Sequence, residues 1–172
     1  MQFIYDDGGR SAAGFKGNAG DCVCRAIAIA TQQPYRKVFD DLSGFGWFPG
    51  NRMKRDPDGL FRSRPDNEKA LTREYLATLG WKWTPTTHIG SGCKVHLADG
   101  ELPMGRLIVR VSKHLTTVID GVIRDTFNPE REKSYIFEPD HGQELKPNQG
   151  RNQNGVWTEI GGRCVYGYWS VA

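Results

Sequence analysis

A chain of 172 residues fits one domain and is long enough to bury a core of its own. With 38% hydrophobic and 25% charged residues, it has the composition of a globular protein rather than a disordered or fibrous one. Net charge is only +3, from 23 basic against 20 acidic residues, with no run of like charge, so nothing argues for a nucleic-acid partner.

No apolar segment approaches the roughly 18 residues needed to cross a bilayer, so no membrane partner is expected. The opening Met1–Asp7 has neither a basic n-region nor an apolar h-region, which argues against a signal peptide. Cys22, Cys24, Cys93 and Cys164 are too few for a disulfide scaffold. The expectation is a cytoplasmic protein with reduced thiols.

In chain order, 2–5 reads as a short strand and 6–20 as a loop rich in Gly, Ala and Asp. A first helix is predicted from Asp21 to about Thr31, with Asp21 placed to cap its start and Val23, Ala26, Ile27 and Ala30 as the buried stripe. Pro34 suits the first turn of a second helix carrying Tyr35, Val38, Phe39 and Leu42, and Gly44 ends it. Residues 44–65 read as an exposed loop; its Phe45, Trp47 and Phe48 would anchor its start, and Arg52, Lys54, Arg55, Arg62 and Arg64 would be solvated. A third helix begins near Pro65 or Asp66, stops at Gly80, and turns Leu71, Tyr75, Leu76 and Leu79 inward.

Trp81–Thr84 alternates like a strand, Lys94–Ala98 fits one helical turn, and Leu107–Val111 is the clearest strand in the chain. Two further strands, His114–Ile119 and Val122–Phe127, flank the favoured turn pair Asp120-Gly121. Residues 128–162 form a polar insertion, with a short strand at Tyr135–Phe137, and Arg163–Ser170 is a closing strand. Helices first and strands after argue for a single α+β domain, 1–172, with a mainly antiparallel sheet.

Two features carry chemistry. The first is Cys22, a thiol in the first turn of a helix, where the positive end of the dipole favours the thiolate. The second is the hairpin. A two-residue Asp120-Gly121 turn sets Ile119 opposite Val122 and Thr116 opposite Asp125. Alternation then puts His114 and Asp125 on one face as diagonal neighbours, roughly 7 Å apart in the backbone. Taken alone this is a cross-strand polar pair. Beside a cysteine it is a base with its orienting carboxylate.

Cys24 is the rival nucleophile, but two residues along a helix turn it about 200° from Cys22, so only one of them faces His114. Cys22 lies nearer the helix start; Cys24, Cys93 and Cys164 read as packed thiols. Trp47, Trp81, Trp83, Tyr166, Tyr168 and Trp169 read as core before groove. No Cys-x₂-Cys or His-x₃-His pair occurs, so no metal site is expected.

The Gly20-Asp21-Cys22 helix start, followed by His114 opening one strand and Asp125 on the next, resembles the papain-like cysteine peptidase superfamily. The likeness is to its compact bacterial and phage branches, including bacteriocin-processing peptidases, and to short proteins of phages and prophages. It covers about residues 15–30 and 105–127, with 163–169 as a closing strand. It implies a central helix on a small antiparallel sheet, with Cys22 as nucleophile, His114 as base and Asp125 as orienter. The implied activity is hydrolysis of a peptide, isopeptide or amide bond in a protein or peptide substrate, without metal or organic cofactor. The same triad serves transglutaminase-type acyl transfer, and the same scaffold serves a non-catalytic binding or structural protein. One departure stands out. Papain-like enzymes commonly place Gln several residues before the cysteine as an oxyanion donor, where this chain has Lys16 and Asn18.

Overall fold

The computed structural model describes residues 1–17, 20–44, 54–55, 61–62, 68–130, 134–139, 155–160 and 162–171. Among them run β1 (Gln2–Tyr5), α1 (Cys22–Thr31), α2 (Tyr35–Gly44), β2 (Lys54–Arg55), β3 (Phe61–Arg62), α3 (Glu68–Thr78) and β4 (Trp81–Pro85). The second half supplies β5 (Arg106–Val111), β6 (His114–Ile119), β7 (Val122–Asp125), β8 (Ser134–Pro139), β9 (Gly155–Ile160) and β10 (Val165–Val171). The class is α+β, as expected.

Six strands form one sheet in the order β1-β7-β6-β5-β10-β4. Every pair is antiparallel except β1 with β7, so the sheet is mixed. β5 lies inside it and is buried on both faces. Leu107, Val109 and Val111 join Leu97, Val118, Ile123 and Val165 on one side, while Ile108 joins Trp169 and α1 on the other.

α1 is the central helix. Its buried set is wider than a stripe, running Val23, Cys24 and then every residue from Ala26 to Ala30. The sheet takes one flank, α2 takes another, and Ala13 and Phe15 of the preceding loop pack against the same cluster. Thr117 Oγ1 donates to the Ala26 carbonyl at 2.9 Å and pins β6 beneath the helix.

Asp21 does not cap α1 with its side chain. Its fully buried carboxylate turns instead to Arg10 Nε at 2.7 Å, the Tyr35 hydroxyl at 2.6 Å and Arg25 Nη1. Charge-assisted hydrogen bonds from two guanidinium groups outcompete a neutral backbone N–H for the same oxygens. Arg10 also donates to the carbonyls of Phe15 and Lys16, so this cluster fixes the chain just before the helix opens.

Two expectations differ from the structure. Residues 94–98 form no helical turn: His96 bridges Cys164, Leu97 N donates to Arg163 O, and Val165 N donates to Val95 O, both at 2.8 Å. The cause lies at Cys93, which is bonded to Cys164 across 71 residues with a Cα–Cα distance of 5.8 Å. These two cysteines are therefore a cross-link and not packed free thiols; Cys22 and Cys24 remain free. On a loop-entropy argument the bond contributes about 4 kcal/mol. The Cys93→Ala/Cys164→Ala variant, and the wild type in reductant, are expected to lose stability on that scale in urea unfolding. An unchanged midpoint in both would mean that the bond contributes nothing.

The 44–65 loop carries the paired β2 and β3, and the 128–162 insertion carries the β8–β9 hairpin, which includes Tyr135–Phe137. Phe45, Trp47, Phe48, Arg52, Arg64, Pro65 and Asp66 lie outside the described residues. No described helix is long and apolar enough to cross a membrane.

Candidate active site

The β6–β7 hairpin turns as its sequence predicts. Asp120 and Gly121 both have positive φ, 49° and 78°, as a type I′ turn requires. Ile119 pairs with Val122, Val118 with Ile123 and Thr117 with Arg124, which carries the register on to Thr116 beside Asp125. His114 Nε2 and Asp125 Oδ2 then meet at 2.7 Å. Both residues are buried. The other Asp125 oxygen accepts the Thr126 backbone N–H at 2.7 Å, so the carboxylate is held at both ends.

Nε2 is thus committed to Asp125, which leaves Nδ1 for the thiol. Cys22 hydrogen-bonds the His114 ring from the first position of α1, and the Leu115 backbone N–H donates to the same sulfur. The structure therefore brings Cys22, His114 and Asp125 into one hydrogen-bonded chain.

Burial alone pushes the Cys22 thiol up. Burial is the largest single effect, but the hydrogen bonds from His114 and the Leu115 N–H and the charges of His114 and Arg25 together outweigh it, and the net shift is below the ordinary thiol value. For His114, burial works against the imidazolium, but hydrogen bonds to Asp125 and Cys22 raise the ring to about 9. The two shifts favour the same state, a thiolate beside an imidazolium. Cys24 behaves oppositely: burial pushes it up to about 12, which makes it an inert thiol at neutral pH.

A cleft of about 570 Å³ opens beside the sulfur, lined in part by Cys22, His114, Leu115, Tyr166 and Trp169. The two aromatics come from β10, whose register shifts between Val165 and Gly167. Gly167, at φ 150°, lies against Trp83, and a Cβ there would stand 2.3 Å from that ring. Trp83 in turn packs on Trp169 at 4.2 Å between ring centres. Of the aromatics read as core, Trp81 and Trp169 are buried, while Tyr166 is exposed at the cleft.

Of the two oxyanion candidates, Lys16 is exposed and is not part of the cleft lining, and Asn18 lies outside the described residues. The Cys22 N–H, at the first helical position, has no intrahelical acceptor and is available as a donor. Among the described residues no group of three or more His, Cys, Asp or Glu side chains is placed to hold a metal ion.

Two contributors went unread in the sequence. Phe127, two residues beyond Asp125, packs on the His114 ring at 4.8 Å between centres and shields the imidazole–carboxylate bond. The alternation that pairs His114 with Asp125 also points to position 127, so that signal was present. The Leu115 N–H is a backbone donor and left no mark in the side-chain pattern. The chain matches no protein-family model, no curated protein and no solved structure.

Proposed function

We propose that the protein is a cysteine hydrolase of papain-like type, cleaving a peptide, isopeptide or amide bond through a thioester on Cys22. The observation that carries this reading is the continuous Cys22–His114–Asp125 hydrogen-bonded chain at a cleft, with both titrating groups shifted toward the ion pair.

The Cys22 thiolate attacks the substrate carbonyl and forms a C–S bond, and the Cys22 N–H donates to the developing oxyanion. When the tetrahedral intermediate collapses, the C–N bond breaks and the His114 imidazolium protonates the leaving amine. Neutral His114 then takes a proton from water as the water attacks the thioester, releasing the acid and restoring the ion pair. Asp125 keeps the ring oriented and stabilises its charged form.

Iodoacetamide at pH 6 tests the reading without a known substrate. Cys22 is expected to alkylate far faster than free cysteine, and His114→Ala to abolish the advantage. Labelling at the free-thiol rate would sink the proposal.

Asp125→Asn gives a second check. Asparagine keeps a hydrogen bond to the ring but removes the charge that helps hold its proton up to about pH 9. The alkaline limb of kcat/KM is expected near pH 9 in the wild type and moved down toward 6.5 in the variant. A limb that stays near 9 contradicts the role given to Asp125.

A further inference from the structure

Among the described residues that line the cleft beside Cys22, Lys69, Arg110 and Lys113 are charged and no Asp or Glu is present. Lys69 and Lys113 are exposed, and neither pairs with a carboxylate. A chain with a net charge of only +3 thus places three basic side chains on the described lining of the cleft beside its nucleophile.

The three arrive from separate elements. Lys69 stands in the first turn of α3 and Arg110 on β5, while Lys113 occupies the two-residue turn between β5 and β6. At Lys113 the backbone is left-handed, with φ 57°. Glycine or asparagine fills such a position at low cost, and a lysine there is strained. Arg163 Nη2 holds the turn by donating to the Ser112 carbonyl. The turn thus sets a cationic side chain directly before the base.

We propose that this cleft selects anionic substrates, carrying a carboxylate within a residue or two of the bond that is cleaved. The inference rests on the cysteine-hydrolase reading. Clefts lined by one sign of charge raise the local concentration of ligands of the opposite sign and suppress like-charged ones. The carboxylate belongs either to an Asp or Glu side chain or to a free chain end.

Two kinds of probe separate these sources. Peptidyl vinyl sulfones with Glu, Gln or Lys beside the electrophile, blocked at the far end, report side-chain charge. The ratio of Cys22 alkylation by iodoacetate to that by iodoacetamide reports a carboxylate at the reacting carbon. Each ratio is measured in wild type, Lys113→Arg and Lys69→Gln/Lys113→Gln.

In the wild type, Glu is expected to exceed Gln and Gln to exceed Lys, or iodoacetate to exceed iodoacetamide, or both. In the double glutamine variant the preference falls about 10-fold, and high salt has a similar effect. Lys113→Arg retains it, which a purely structural role for the lysine in its turn would not predict. Preferences that are absent in the wild type, or equal in all three proteins, overturn the proposal. If iodoacetamide still labels Cys22 faster than free cysteine, the hydrolase reading survives that failure; if it does not, both fall.

Discussion

Cys22→Ser is expected to lower turnover of a peptide or amide substrate by about 10⁴-fold or more, with folding unchanged. The thioester route needs the thiolate, and a serine hydroxyl is far less acidic than a thiol and does not ionise beside the imidazole. His114→Ala is expected to cost a similar factor, and the two losses should not add, because nucleophile and base act as one unit. Amine release from a peptide library, assayed for wild type, both single variants and the double variant, checks both statements. A double variant slower than either single by the product of their losses would mean that the two residues act independently.

The second large effect concerns stability. Asp21→Asn is expected to destabilise the fold by about 3–5 kcal/mol, because it leaves Arg10 and Arg25 nearly buried without their shared counter-charge. That is a large share of the roughly 5–15 kcal/mol available to a small domain. The Tyr35 hydroxyl, whose pKa is pushed up by burial and by Asp21, loses its charged acceptor as well. Tyr35→Phe removes one hydrogen bond and should cost only about 1 kcal/mol. Urea unfolding of the two variants separates these scales. An Asp21→Asn cost below about 1 kcal/mol would show that the carboxylate is not the hub of the cluster.

Much of this architecture was legible because local rules and tertiary packing agreed. The Asp120-Gly121 turn determines its own register, and strand alternation then places His114 against Asp125 without knowledge of the rest of the fold. β1, α1, α2, β4, β5 and β10 followed from periodicity and from Gly and Pro punctuation. What stayed hidden depended on distant partners. Asp21 reads as a cap until Arg10, Arg25 and Tyr35 are seen converging on it. Residues 94–98 read as a helical turn until Cys164, 71 residues beyond Cys93, draws them into a bridge. The cationic lining of the cleft was invisible for the same reason. Lys69, Arg110 and Lys113 share no spacing and meet only when α3, β5 and the β5–β6 turn are brought together.

The central claim is that His114 holds a proton beside Cys22 and so favours its thiolate. Thiolate ultraviolet absorbance followed against pH, as the difference between wild type and Cys22→Ser, measures this directly. Cys24, pushed up to about 12 by burial, is silent over the range, and Cys93 and Cys164 are bonded to each other. The predicted result is a Cys22 midpoint below the ordinary value of 9.0 that rises when His114 is replaced by alanine. A Cys22 midpoint at or above 9.0, unmoved by His114→Ala, would show that burial wins over the imidazolium and would contradict the account.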